Sequence, residues 1–564
     1  MRCTNDGGHM SPVMKGKRAL LEMLRAEGVE YIFGNPGTSE APLMDALSDY
    51  PDLKYRLVVQ EGVAIGMAEG YGRASGKVPF VSLHIDSGLG NAFSMLIDSF
   101  KAGSPMVLTA GNKDVRKLAE GRTDLVDLAR PFVKWSAEVT HAEQYPGVIR
   151  RAFNEARTPP TGPVFISFAG NTWDAEADVE IVPSRKLAVE PPPDERAIAS
   201  AAELLAHAKN PVLVVGDRVS QYGAVREAVQ LAERSGARVY SHNAADLNFP
   251  LGHPLFLRGL SLRQPVARQA MQSADVVVAV GCPVFSDFFH TPGRALGQNT
   301  KLIHIDMQPG DIGKSEPTDI GIFASPRDAL ALLCSELERR QDGSEIEAAR
   351  SRAAVIAGET RKAADAFESV AATAVHQRPM GPATLAWQLG RAWPAGAILV
   401  DDSISTRGVL HQGLRLSEPG SIYGGSGGAI GWGMGLALGV KIARPERPVI
   451  AVIGDGSAMM TVQALWTAVS YNIPVVYVIC NNASYRILKV NADVYRRMSG
   501  TAAPGGKYHH SFDFNVPFDM AAIARAFGMS AVRIEDPAQI GPKLAKAVAS
   551  GRPALLDVVI DGAV

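Results

Sequence analysis

Between about residues 13 and 170, short apolar runs with β-branched residues (VEYIFG, YRLVVQ, VPFVSLH, PMVLTAG, GPVFISFAG) alternate with segments such as LLEMLRAEG and VAIGMAEGYGRASG, which predict helices. That rhythm predicts βαβ units and a parallel sheet. The charged, proline-rich stretch SRKLAVEPPPDER, near residues 184–196, interrupts it as a linker. A second alternation follows, with strands NPVLVVGD, RVYSH, DVVVAVG and KLIHIDM around helices such as AVREAVQLAERSG. It ends near residue 340, where the polar, helix-prone RRQDGSEIEAARSRAAV marks a further boundary. The last block carries AILVDDS, PVIAVIGDG, PVVYVICNN and PALLDVVI, continuous apolar runs suited to strands covered on both faces. The economical reading is an α/β chain of three doubly wound parallel-sheet domains, over residues 13–183, 193–340 and 375–562. The first and third blocks share a rhythm, without any short-period repeat.

Composition narrows the class. The 564 residues are 46% hydrophobic and 20% charged, with 55 Gly and 36 Pro, as in globular α/β proteins. A formal net charge of −1 provides no general field for nucleic acid or an anionic membrane, so an anionic ligand must be held locally. The four cysteines, Cys3, Cys282, Cys334 and Cys480, lack zinc-like spacing and read as reduced thiols. No run of 18 apolar residues appears, and the polar leader MRCTNDGGHMSPVMKGKR lacks the apolar region of a secretory signal. The expectation is a cytoplasmic enzyme of small molecules, with no nucleic-acid or membrane partner.

In the third block the strand VIAVIG runs into Gly454-Asp455-Gly456-Ser457. A helix follows, with Met459, Val462, Leu465, Trp466 and Val469 at helical spacing. Glycines beside the aspartate let the backbone turn sharply toward a diphosphate. One strand later PVVYVIC delivers Asn481-Asn482-Ala483-Ser484 to the same edge. The Asp455 carboxylate, the Asn482 amide oxygen and the Ser484 carbonyl form a hard oxygen set for Mg²⁺, to be completed by two diphosphate oxygens and a water. Each turn alone is an ordinary loop; the two together, at this spacing, are not.

The run GDGSAMMTVQALWTAVSYNIPVVYVICNNASY resembles the thiamine diphosphate (ThDP) motif, and is similar to that of benzoylformate decarboxylase and its acetolactate-synthase-like relatives. The likeness extends in family order through FGNPGTSE, VVQEGVAIGMAEGYGRASG, SLHIDSGLGNA and GGSGGAIGWGMGLALGV. It implies that Glu61 meets the pyrimidine of the cofactor, although a Glu at a helix start is also a common capping-region residue. It implies that Ile430 is the aliphatic wedge beneath the bent cofactor, with Gly428 beside it. Ser405, Gly454, Asp455, Gly456, Ser457, Asn482 and Tyr485 are implied around the diphosphate. His84 matches an active-site histidine that moves protons, or is a satisfied strand-end histidine. Thr38 stands where the family has a serine that holds the substrate carboxylate. The implied reaction is non-oxidative decarboxylation of an aryl or branched 2-keto acid through an ylide and an enamine. The alternative is an acetolactate-synthase-like carboligase or 2-hydroxyacyl lyase that joins the enamine to an aldehyde or keto acceptor. The resemblance further implies a homodimer or homotetramer with active sites at the subunit interface.

Three departures qualify the resemblance. Where the decarboxylase has a second histidine, in CPVFSDFFHTPG, this chain has Phe288, with His290 two residues on. His290 takes over or the relay is absent. The segment VNADVYRRMSGTAAPGGKYHHSFDFNVPF, with Arg496, Arg497, Lys507, His509 and His510, is either a substrate-binding feature or a solvated lid. The middle block lacks a GxGxxG and a glycine-histidine run, which argues against FAD. A nicotinamide-dependent oxidoreductase is disfavoured on the same ground. A catalytically dead scaffold of the same fold is disfavoured because Glu61, His84, Asp455 and Asn482 are all present.

Overall fold

The computed structural model describes residues 13–185, 187, 190–242, 245–285, 293–501 and 506–564. The described residues form two compact units, one drawn from positions 13–187 and 427–444, the other from 190–426 and 445–564.

The first unit is built on a parallel sheet of β1 (Tyr31–Asn35), β2 (Lys54–Leu57), β3 (Phe80–Leu83), β4 (Met106–Asn112), β5 (Ser136–Val139) and β6 (Pro163–Ala169), in the order β2-β1-β3-β4-β6-β5. Every residue of β3, β4 and β6 is buried, as continuous apolar runs require when helices cover both faces. Two helices matter for the site: α1 (Glu61–Ser75), ended by Gly76 at φ 73°, and α2 (Ile85–Ala102), ended by Gly103 at φ 66°.

The second unit holds two six-stranded sheets. One consists of β7 (Val212–Val215), β8 (Arg238–Ser241), β9 (Phe256–Gly259), β10 (Val276–Val280), β11 (Lys301–Asp306) and β12 (Ile320–Phe323), in the order β9-β8-β7-β10-β11-β12. The other consists of β13 (Ile398–Asp402), β14 (Ile422–Gly424), β15 (Val449–Gly454), β16 (Val475–Asn481), β17 (Ser530–Ile534) and β18 (Ala554–Val559), in the order β14-β13-β15-β16-β18-β17. The first and last sheets thus share one topology, which gives structural meaning to their common sequence rhythm.

The polar boundary near residue 340 is a continuous helix, α3 (Gly343–Thr373), opened by a capping box between Asp342 and Glu345. The proline-rich linker ends where the Asp194 side chain caps the helix at Glu195. The helix expected after GDGS is interrupted: α5 (Asp455–Met460) stops at Thr461 (φ −140°, ψ 38°). The N–H groups of Ala464, Leu465 and Trp466 then bond three residues back, starting a second helix.

One segment of the third sequence block, α4 (Trp432–Ala443), belongs to the first unit and lies against α1. Glycines make this approach possible. A Cβ on Gly439 would fall 1.9 Å from the Met67 carbonyl oxygen, and one on Gly70 2.1 Å from that of Leu436. Among the described residues no helix is long and apolar enough to cross a membrane.

Candidate active site

In a doubly wound sheet, ligands gather at the carboxyl ends of strands where the strand order reverses. In the first sheet that point lies between β1 and β3, and the turns leaving it are Asn35–Glu40 and His84. His84 is one-third exposed, at the N-cap of α2. Its Nδ1 lies 2.8 Å from Ser39 Oγ and 3.2 Å from Glu40 Oε2. Glu40, only 1% exposed, accepts the backbone N–H groups of Gly37 at 2.9 Å and Gly111 at 2.8 Å, and the Ser39 hydroxyl at 2.8 Å. A buried carboxylate demands such donors. A Cβ on Gly37 would lie 2.3 Å from the His84 ring, so a glycine is needed there. Thr38 is exposed; its neighbour Ser39 is the residue that touches His84.

Glu61 opens α1 and is buried. Its carboxylate does not cap the helix: Gln60, at the N-cap, accepts the Val63 N–H at 3.1 Å. Both Glu61 oxygens instead accept side-chain amides, Oε1 from Asn35 at 3.1 Å and Oε2 from Asn91 at 3.0 Å. The glycine-rich turn before α4 is anchored in the same unit by Asp98 of α2, which accepts the Gly427 N–H. Ile430 is half-buried, and Gly428 is exposed at φ 84° with nothing within 4 Å of a Cβ position.

In the second unit, β15 and β16 are parallel neighbours, so Gly454 pairs with Cys480 and the two predicted turns leave side by side. Asp455 ties them together. Its Oδ1 accepts the Gly456 N–H at 2.9 Å and its Oδ2 the Ala483 N–H at 2.8 Å. Burial pushes this carboxyl up to about 6, against the pull of those donors. The Asn482 side-chain oxygen accepts the Ser484 N–H at 3.0 Å, and the Ser484 hydroxyl donates to the Phe512 carbonyl. The Ser457 hydroxyl donates to Asp402, and Ser405 lies half-buried after β13, at the reversal between β13 and β15. The Tyr485 ring leaves no room for a side chain on Gly456, where a Cβ would lie 2.5 Å away.

The backbone is strained beside several of these residues. Of the five non-glycine residues at positive φ among those described, Ile85 (36°) follows His84, Ile404 (46°) precedes Ser405, and Ala483 (51°) separates Asn482 from Ser484. Such conformations cost about 1–3 kcal/mol each and concentrate where function fixes the chain.

Phe288 and His290 lie outside the described residues. Beyond the Asn482 turn, Arg496 of α6 (Arg486–Ser499) pairs with Asp493 at 3.2 Å and donates to the Lys507 carbonyl at 2.8 Å. Arg497, Lys507, His509 and His510 are exposed. In the middle sheet the strand order reverses between β7 and β10. Arg218 pairs with Asp306 and Asp311, and a Cβ on Gly216 would lie 2.3 Å from that of Cys282. Cys282, Cys334 and Cys480 are buried free thiols.

Asn35, Ser39, Glu40 and Asn91 were not singled out by sequence reasoning, although all four lie in the segments FGNPGTSE and SLHIDSGLGNA. The only available signal for Glu40 was an acidic residue set among small ones. Its partner Gly111 lies at the end of β4, 71 residues away.

The three sheets correspond in order to the parts of one class of cofactor-dependent enzyme. Residues 14–130 match the thiamine pyrophosphate enzyme N-terminal TPP binding domain, residues 198–333 its central domain and residues 405–558 its C-terminal TPP binding domain. The chain belongs to the thiamine pyrophosphate enzyme family. It is 32% identical to a benzoylformate decarboxylase of Pseudomonas aeruginosa, over 96% of this chain and 98% of that protein. It is 29% identical to a probable acetolactate synthase large subunit of Methanocaldococcus jannaschii, over 98% of this chain and 92% of that one. Among solved structures, the thiamine diphosphate-dependent 4-hydroxybenzoylformate decarboxylase of Rhodococcus jostii RHA1 superposes with a TM-score of 0.82 at 28% identity, covering 97% of this chain and 99% of that one.

Proposed function

We propose that this protein is a ThDP- and Mg²⁺-dependent decarboxylase of a 2-keto acid, with an aryl or branched substrate of the benzoylformate type. The observation that carries the reading is Glu61. A buried carboxylate at a helix start, relieved of capping by Gln60 and held by two neutral amides, is kept available for a ligand. When bound, ThDP supplies a carbon nucleophile for the keto carbonyl and a sink for the electron pair left by CO₂.

The roles of the residues follow from their chemistry. Glu61 would hold the pyrimidine ring, with Ile430 as aliphatic support and Gly428 leaving the backbone open to it. Asp455, the Asn482 side chain and the Ser484 carbonyl would hold Mg²⁺. This donor set fits a hard cation: Asp455 is a buried carboxylate whose charged form burial disfavours, and a divalent ion would offset that penalty. Ser405, Gly454, Gly456, Ser457 and Tyr485 would surround the diphosphate. His84, steadied by Ser39 and Glu40, would carry a proton to or from the substrate, with Thr38 beside its carboxylate and His290 as a second relay. A middle domain without FAD belongs to the same reading, on the ground that its sequence lacks a GxGxxG and a glycine-histidine run. The domain limits 13–183, 193–340 and 375–562 and a homodimer or homotetramer with interfacial sites complete the reading.

A carboligase remains the second reading, supported by the likeness to acetolactate synthase sequences. A panel of 2-keto acids, supplied with ThDP and Mg²⁺ and with or without an aldehyde acceptor, separates the two. Free aldehyde with CO₂ is the expected outcome. A product of C–C bond formation as the main species would favour the carboligase. Absence of ThDP uptake by metal-replete protein that carries none would refute both.

A further inference from the structure

Helix α1 carries two buried carboxylates that are treated differently. Glu69 is paired with Arg73 at 3.0 Å and accepts the hydroxyls of Ser99 at 2.7 Å and Ser104 at 3.3 Å. Its charge is neutralised in place. Glu61 has no cation among the described residues; its only side-chain donors there are the amides of Asn35 and Asn91. Amides satisfy a carboxylate without cancelling its charge, and one on each oxygen fixes the plane of the group. Both donors stand on rigid elements: Asn35 ends β1, and Asn91 lies in the second turn of α2, whose first turn follows His84. Gly88, one turn before Asn91, leaves the room: a Cβ there would sit 3.4 Å from Glu61 Oε1.

We propose that Asn91, together with Asn35, is a positioning residue that holds the Glu61 carboxylate in the plane needed to engage the aminopyrimidine of the cofactor. The inference rests on the reading of Glu61 given above. Helix α2 then serves two parts of the chemistry at once, presenting His84 at its start and steadying Glu61 from its second turn.

The test uses full-length protein reconstituted with ThDP and Mg²⁺, as Asn91→Leu, Glu61→Gln and the double variant. Three quantities are measured: ThDP affinity, the near-ultraviolet circular dichroism band of the imino form of the bound aminopyrimidine, and kcat against KM for the keto acid. Asn91→Leu is expected to keep ThDP affinity within about threefold while lowering the imino band and kcat by about 10- to 100-fold, the range for losing a hydrogen bond to a charged group. KM should change less than kcat. In the Glu61→Gln background the same substitution should have no further effect, because its target is gone. An unchanged band and kcat in Asn91→Leu, or an equal loss in the Glu61→Gln background, overturns the positioning role. If Glu61→Gln itself leaves band and turnover intact, the assignment of Glu61 fails, and this inference with it. Should Asn91→Leu fold poorly, Asn91→Ser, which removes the amide without adding bulk, is held to the same criteria.

Discussion

Asp455 and Ala483 stand on successive strand-end turns, and the carboxylate of the first accepts the backbone N–H of the second at 2.8 Å. One side chain therefore sets the spacing of both turns while its charge remains available to a metal. Removing it should damage ligand retention more than folding. Asp455→Ala is expected to lower the affinity for ThDP and Mg²⁺ by at least about 100-fold, with the secondary structure retained. Calorimetric titration of the two ligands checks this, and wild-type affinities for both would place the metal elsewhere.

Glu40 is the anchor of the His84 turn. Its replacement by Gln keeps the size but sets an amide NH₂ where the carboxylate now receives two backbone N–H groups, so at least one donor loses its acceptor. Glu40→Gln should cost about 1–3 kcal/mol of stability. Turnover should fall by about tenfold or more, with ThDP affinity little changed, because the change disturbs the orientation of His84, which is assigned to the substrate and not to the cofactor. Chemical denaturation and steady-state kinetics on one preparation check both parts. A variant with normal kcat would make the Ser39–His84–Glu40 cluster structural only.

Much of this architecture was legible in the sequence because its signals are local. Continuous apolar runs announce doubly covered strands, and GDGS and NN lie on adjacent strands with a fixed amount of chain between them. Other features were not local. The donors to Glu61 come from positions 26 and 30 residues away in sequence, and the fold alone brings them together. The interruption at Thr461 was hidden because Met459 on one side and Val462, Leu465, Trp466 and Val469 on the other keep a helical spacing across it. The close approach of α1 and α4 was equally hidden: Gly66, Gly70, Gly435 and Gly439 stand in segments hundreds of residues apart, and neither set states its partner.

That approach yields a stability prediction. A methyl group on Gly439 would sit 1.9 Å from the Met67 carbonyl oxygen and 2.7 Å from the Tyr71 nitrogen, both backbone atoms that cannot rotate away. Gly439→Ala should destabilise by about 2 kcal/mol or more, despite the higher helix propensity of alanine. Gly358, in α3, has nothing within 4 Å of a Cβ position and is the control. Gly358→Ala should be neutral or slightly stabilising. Equal melting temperatures for the two variants would show that the helices are not in close contact in solution.

His242 supplies a pH dependence whose sign can be worked out. It follows β8, is 7% exposed, and its Nδ1 has no hydrogen-bond partner among the described residues. Burial pushes its pKa down from the usual 6.5; Arg218 adds to the drop, while Asp311 and the backbone oppose it. Above pH 6.5 the ring is neutral both folded and unfolded. As the pH falls below 6.5 the unfolded chain takes up the proton first, so stability is lost on the acid side. His207 acts in the opposite sense, since Glu203 and Glu345 raise its pKa, and its contribution cancels when two proteins that share it are compared. The stability advantage of wild type over His242→Gln should therefore be largest near pH 7.5 and shrink steadily toward pH 5.5. Parallel thermal melts across that range check the trend. A difference that stays constant with pH would mean that His242 is protonated equally in both states.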